Sequence, residues 1–462
     1  MAPTSGGQYH WVSEFSPRKY QKELSYIVGW LGVLGWQVGI AFGAFLTGTI
    51  IQGLIVLNHP TYIYERWHGT LLIIAVLILA GAINVFLAQS LHLIQGAVLV
   101  GHIGGFFGIL ITLWVLAEPK ASSHDVWTTF YDPGWNSQGL SCLVGIVASV
   151  SPLLGADAAA HMAEELQDAS YLLPRILTLA TLINGAMMFI MAVTICYVIG
   201  DLEQVLSTPT EYPFIQIFSN ITKSLTATNA MTSVILILGF FGCVSDTAGS
   251  SRQLFAFARD KGIPFSSWVG RVHPRFDVPV NAIIVIGVVS ALISLINIGS
   301  IVAFNIVTSL GTGTLTSSYI ICISVHVWQK VTGQPMLPSR FNLGRRFGLF
   351  MKLVALGWLW LVLIIAFFPG IPDPTSATMN WSVVVLGGVV VFSAVYFVLY
   401  GRKSYDGPVA YVRKLDWRRL SEAPQALAIV IDQKKNEIHL IPIAAVSIPS
   451  QRYPDQIVHR PP

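Results

Sequence analysis

Residues 27–57 read IVGWLGVLGWQVGIAFGAFLTGTIIQGLIVL, without one charged side chain. A hydrocarbon core roughly 30 Å thick is crossed by about 20 helical residues, so this stretch is long enough to span. Centred near residue 40, it is followed by nine more apolar segments, near 80, 105, 148, 188, 240, 290, 314, 359 and 390. In lipid, only helices and closed barrels satisfy their own backbone polar groups. Alternating strands of barrel type are absent. The sequence therefore predicts an all-α polytopic membrane protein with about ten transmembrane helices.

Composition agrees. Hydrophobic residues make up 53% and charged residues 11%, against about 25% charged in soluble domains. That excludes a soluble enzyme or nucleic-acid binder, which would need a charged skin. Residues 1–26 are polar and carry Arg18, Lys19 and Lys22. The first span is thus expected to act as its own insertion signal. The cysteines Cys142, Cys196, Cys243 and Cys322 form no CxxC pair and read as reduced packing residues.

Lys and Arg are sorted by side. Ten spans put both termini on one face of the membrane. If that face is cytosolic, 24 of the basic residues lie inside, and only Arg66, Lys120 and Lys223 lie outside. Such a bias sets orientation. The expected organisation is a cytosolic segment 1–26, a transmembrane domain 27–400 and a cytosolic tail 401–462. The net charge of +4 follows from this sorting and implies no nucleic-acid partner.

Small residues mark two spans. Gly29, Gly32, Gly35, Gly39 and Gly43 fall near one face of the first, and Gly101, Gly104, Gly105 and Gly108 near one face of the third. Both patterns predict close helix packing. The outside loops are placed at 117–139 and 201–229, with a glycosylation sequon at Asn220 and a less accessible one at Asn380. Two basic cytosolic loops cover 251–278 and 328–350, the first helical from Ser251 to Lys261 and stopped by Gly262 and Pro264. In the tail, 426–447 holds two β-like runs around a charged turn. A hairpin is one reading, sequence from an altered reading frame the other.

The most unusual intramembrane stretch is Ser151-Pro152-Leu153-Leu154-Gly155-Ala156-Asp157. Pro152 lacks a backbone donor and Gly155 loosens the helix, so a break is expected. Transporters use such breaks to hold charged small solutes. A carboxylate at this depth is costly and faces a cavity or a partner. The alternative is a proline kink with Asp157 at the interface. Glu164 and Glu165 read as a solvated helix end, and His161 as a helix-end histidine. Asp246 resembles Asp157 in setting, with Arg252 as its expected partner. Asn305, Thr308, Ser309, Thr312 and Thr314 form a polar stripe that either lines a cavity or bonds back to its own helix. No Walker loop, GxSxG or HExxH is present, so no catalytic or metal site is expected.

Four stretches carry a family resemblance: APTSGGQYHW at 2–11, GADAAAHMAEEL at 155–166, SRQLFAFARDKGIPF at 251–265 with HPRFDVPVNAI at 273–283, and GRKSYDGPV at 401–409. Through them the chain resembles the amino acid–polyamine–organocation permeases, and within these the fungal choline, GABA and amino-acid branch. The likeness runs from residue 2 to about 414. It implies a LeuT-like inverted-repeat fold in which the ten spans correspond to family helices 3 to 12, so that this chain is an N-terminally truncated form. It also implies a secondary transporter of amino acids, GABA or choline, working by alternating access without a cofactor and coupled to H+ or Na+. The solute would sit at Ser151, Leu153, Leu154, Gly155, Ala156 and Asp157, with Asn305 and Thr308 lining the cavity. Asp157 and Asp246 are the gating or coupling candidates. The expected setting is the plasma membrane, with the vacuolar membrane as the alternative. The rival reading is a non-transporting remnant or sensor of the same fold.

Overall fold

The computed structural model describes residues 3–59, 61–130, 134–334, 340–376, 378–405, 407–408, 427–432 and 437–442, with backbone alone for 301–306, 308 and the last two stretches. Apolar runs that bond their backbones internally give a succession of helices. These are α1 (Gln8–Phe15), α2 (Gln21–Asn58), α3 (Arg66–Phe86), α4 (Leu91–Leu116), α5 (Gln138–Val150) and α6 (Ala169–Val198). There follow α7 (Pro213–Thr222), α8 (Leu225–Arg259), α9 (Val280–Ser294), α10 (Ile301–Val331), α11 (Arg345–Ala366) and α12 (Ser382–Tyr396). Among the described residues, ten helical stretches are long and apolar enough to cross a membrane. The all-α class and the number of spans are as the sequence predicts.

α2 is the hub. It packs on α1, α3, α8 and α10. At 38 residues it is roughly 57 Å long at 1.5 Å per residue, longer than the hydrocarbon core is thick. Its small residues permit the close contacts. A methyl group at Gly29 would lie 2.4 Å from the Phe257 ring, and one at Gly48 would lie 2.8 Å from the backbone nitrogen of Ile73. The glycines of α4 behave differently. Only Gly105 meets a neighbour, Val234, while Gly101, Gly104 and Gly108 face open space. Small residues allow helices to approach but do not compel it.

Two local expectations change. The polar segment before the first span is in part a packed element, because α1 buries Tyr9, His10, Trp11 and Val12. The helix expected at Ser251–Lys261 is the end of α8 itself, continuous from Leu225. Those last turns stay helical because Ser251, Gln253, Leu254 and Phe257 are buried, with the Phe257 ring 5.2 Å from that of Tyr9. The helix stops as predicted, where Lys261 turns left-handed at φ 61° before Gly262.

The sequon at Asn220 lies in the last turn of α7, not in a loop, and its side chain bonds to Gln216 and Gln204. Asn380 is buried and bonds the Ala366 and Phe368 carbonyls. Cys243 and Cys322 are buried, whereas Cys142 and Cys196 sit on exposed faces and so are not packed in a core.

The chain divides at residue 407 into two units. The second holds an antiparallel hairpin, β1 (Leu427–Asp432) with β2 (Glu437–Pro442), in register from Leu427 opposite Pro442 to Asp432 opposite Glu437.

Candidate solute site at the helix break

α5 ends at Val150, where Pro152 cannot donate to a preceding carbonyl. A single 3-10 turn covers Ser151–Leu153, Leu154 is extended, and Gly155 takes φ +87°. Helical geometry resumes only for Ala158–His161. The predicted interruption is therefore present. Across it, the amides of Ala156 and Asp157 find no backbone acceptor among the described residues. Gly155 is required by its backbone, since L side chains rarely adopt that φ; a methyl group there would only touch the Trp36 ring, at 3.4 Å.

One wall of the break is built by α2 and α10. Ser151 Oγ bonds Thr312 Oγ1 at 2.8 Å. The Asp157 carboxylate is 7% exposed and is held from several sides. Its Oδ2 accepts from Gln8 Nε2 at 2.6 Å and Trp36 Nε1 at 3.3 Å, and its Oδ1 accepts from the Tyr319 hydroxyl. Asp157 is thus enclosed by protein rather than placed at an open interface. On the other side, Pro152–Ala156 border a cavity of about 440 Å³ with His102, Phe106, Thr181, Asn184 and Met188. A second cavity, about 450 Å³, lies between α2, α8, α9 and α12. It is apolar apart from Gln37, whose amide already bonds the Ile286 carbonyl at 3.0 Å, and no residue of the break lines it.

Beyond the break the chain is clamped by ion pairs. Glu164 binds Arg259 at 3.2 Å and accepts the Ser5 amide at 3.0 Å, while Glu165 binds Arg252 at 2.6 Å. The two glutamates are cross-helix partners, not a solvated helix end. Burial raises the Glu164 carboxyl, but Arg259 and Ser5 outweigh it and hold the group below its ordinary range. Burial pushes the Asp260 carboxyl up, although the Tyr9 hydroxyl donates to it at 2.9 Å.

Other predicted residues are dispersed. Arg252 does not pair with Asp246. Six residues apart on an α-helix is about 240° around the axis, so the two point different ways. Arg252 turns to Glu165, and Asp246 turns to α2, its Oδ2 3.8 Å from where a Gly43 methyl would stand. Asp246 makes no contact with the break among the described bonds. The side chains of Asn305 and Thr308 lie outside the described residues. The stripe does reach the break, but through Thr312, while Thr314 bonds back to its own helix. Sequence reasoning placed Thr312 in the polar stripe but missed Tyr319, Gln8 and Trp36 as neighbours of the break. The seven-residue spacing from Thr312 to Tyr319, two turns on one face, was the only available signal.

A family model described as amino acid permease matches residues 1–391. The chain belongs to that family. It is an integral membrane permease and not an enzyme. A protein of Macrophomina phaseolina named as an amino acid/polyamine transporter is 32% identical over 382 residues, or 82% of this chain and 84% of that one. The choline transporter of Saccharomyces cerevisiae is 27% identical over 411 residues, covering 87% and 71%. Amino-acid permease 2 of Neurospora crassa is 25% identical over 420 residues, covering 88% and 75%. In this permease the break at Ser151–Asp157 thus sets two amides without a backbone acceptor among the described residues next to a positioned carboxylate.

Proposed function

We propose that the permease carries a small nitrogenous solute, an amino acid, GABA or choline, across a membrane by alternating access. The solute sits against Ser151, Leu153, Leu154, Gly155 and Ala156, and Asp157 serves as the charge-sensitive gate. One observation carries this reading: the interrupted helix borders a cavity and leaves the Ala156 and Asp157 amides without a backbone acceptor among the described residues, beside a carboxylate that three side-chain donors hold in place. Keeping a carboxylate at that depth is costly and is found where it has a task. Relatives named for amino acids, polyamines and choline fit solutes bearing a cationic nitrogen. The Lys/Arg bias favours cytosolic termini, and the plasma membrane is the proposed location.

Uptake of radiolabelled choline, GABA and amino acids into proteoliposomes tests the reading, with Asp157→Asn as the comparison. The variant should reach the membrane and lose at least about tenfold in uptake, the order of an interaction of roughly 1.4 kcal/mol or more. Equal uptake by both proteins would remove Asp157 from the site. No uptake of any probe by the unmodified chain would favour the non-transporting alternative.

A further inference from the structure

His161 lies one helical turn beyond Asp157, and its side chain is completely buried. Its ring nitrogens face two acceptors. Nδ1 is 2.9 Å from the Ser5 carbonyl oxygen, so it carries a hydrogen and donates. Nε2 has no hydrogen-bond partner among the described residues and lies 3.3 Å from Asp157 Oδ2. That oxygen accepts from Trp36, whose indole nitrogen can only donate, and Gln8 points its amide at it as well. A neutral imidazole protonated on Nδ1 would turn a lone pair toward a carboxylate. One additional proton on Nε2 resolves the clash and makes an imidazolium–carboxylate pair.

The surroundings leave that proton with this pair. Trp36 of α2 stands edge-on, its ring 5.6 Å from the imidazole, and Tyr319 of α10 donates to the other carboxylate oxygen. Ser5 and Gly7 come from the segment before α1 and Gln8 from its first turn, with Gly7 so close that a methyl group would lie 2.8 Å from the imidazole. His10 on α1 is turned to Thr4 and Glu14, at 2.9 and 3.8 Å. The neighbouring Glu164 is neutralised by Arg259 of α8. The buried Asp157 charge is therefore balanced by His161.

We propose that the Asp157–His161 pair is the proton-carrying site of this permease. The pair holds one proton on His161 while residues 4–8 cover it. It releases that proton to water when the cover lifts: the ring N–H bond breaks, a water oxygen takes the proton, and a neutral imidazole remains. The cover acts on the pair directly, because Ser5 supplies the acceptor for Nδ1 and Gly7 lies against the ring where water would otherwise enter. Proton binding and the state of the cover are then linked, which is what coupling requires. This assignment rests on the transport reading above and adds the coupling ion to it.

Two measurements on the full chain in liposomes test it. In protein labelled with 15N-histidine, the resonance absent from His161→Gln should report an imidazolium at neutral pH, and should become neutral in Asp157→Asn. A single neutral tautomer in the unmodified protein would overturn the proposal whatever the variants do. In transport, the ratio of accumulation driven by an imposed pH gradient to counterflow of radiolabelled choline, GABA or arginine should fall about tenfold in His161→Gln, within the usual range of coupling factors. An unchanged ratio would also overturn it. Absence of counterflow for every probe in the unmodified protein would instead refute the transport reading on which the assignment stands.

Discussion

The Tyr319 hydroxyl donates to Oδ1 of Asp157, joining α10 to the last residue of the helix break. The bond spans 162 residues of sequence and closes one wall of the site. Tyr319→Phe deletes the donor with little change in shape. It should cost about 2 kcal/mol, the usual price of a hydrogen bond to a charged group, and lower the thermal midpoint in detergent. The loss should shrink toward zero in an Asp157→Asn background, because the bond then lacks its charged acceptor. Equal losses in both backgrounds would assign Tyr319 to packing alone.

Gly155→Ala should impair folding and transport together. A side chain at φ +87° is strained, by about 1–3 kcal/mol for such backbone outliers, while the contact of the new methyl group with Trp36 is an ordinary one. Gly145→Ala supplies the control, since a methyl group there meets nothing within 4 Å. Monodispersity after detergent extraction and choline or amino-acid uptake would separate the two substitutions.

The Glu164–Arg259 pair should behave as a latch on the segment before α1. Glu164 also accepts the Ser5 amide, so Glu164→Gln should speed hydrogen exchange at Ser5 and its neighbours. The carboxyl is held below its ordinary value of 4.5. Its contribution is therefore complete above that value and disappears as pH falls through the lower folded value. Exchange at Ser5, corrected for the intrinsic rate, should stay flat from neutral pH down to about 5 and rise only in more acidic buffer. A rise between neutral pH and that point would point to a different titrating group.

Gly48→Ala should loosen α2 from α3. The added methyl group would lie 2.8 Å from the Ile73 backbone nitrogen, and backbone cannot swing aside as a side chain can. Overpacking of this kind costs about 1–3 kcal/mol. Gly39→Ala, on the same helix but facing open space, should be neutral in the same thermal assay.

The element types and the break were legible because both arise from local chemistry. A run of apolar residues in lipid must become a helix, whichever helices surround it. Pro152 and Gly155 weaken the helix locally, so a break was one of two readings there, and the hairpin pairing Leu427–Asp432 with Glu437–Pro442 was one of two readings of its strand-forming runs. Lys261 and Gly262 stop α8 for equally local reasons. What touches the break depended on distant residues. Gln8, Trp36 and Tyr319 come from three separate parts of the chain, and no spacing in the sequence brings them to Asp157. Partner choice was hidden too: Arg252 has Asp246 six residues away, yet it pairs with Glu165, because helix rotation separates the first two and packing unites the second. The role of His161 shows the same division. A histidine four residues after an aspartate suggests a local pair, but only the carbonyl of Ser5 on its far side, supplied by a segment more than 150 residues upstream, determines which nitrogen must carry the proton.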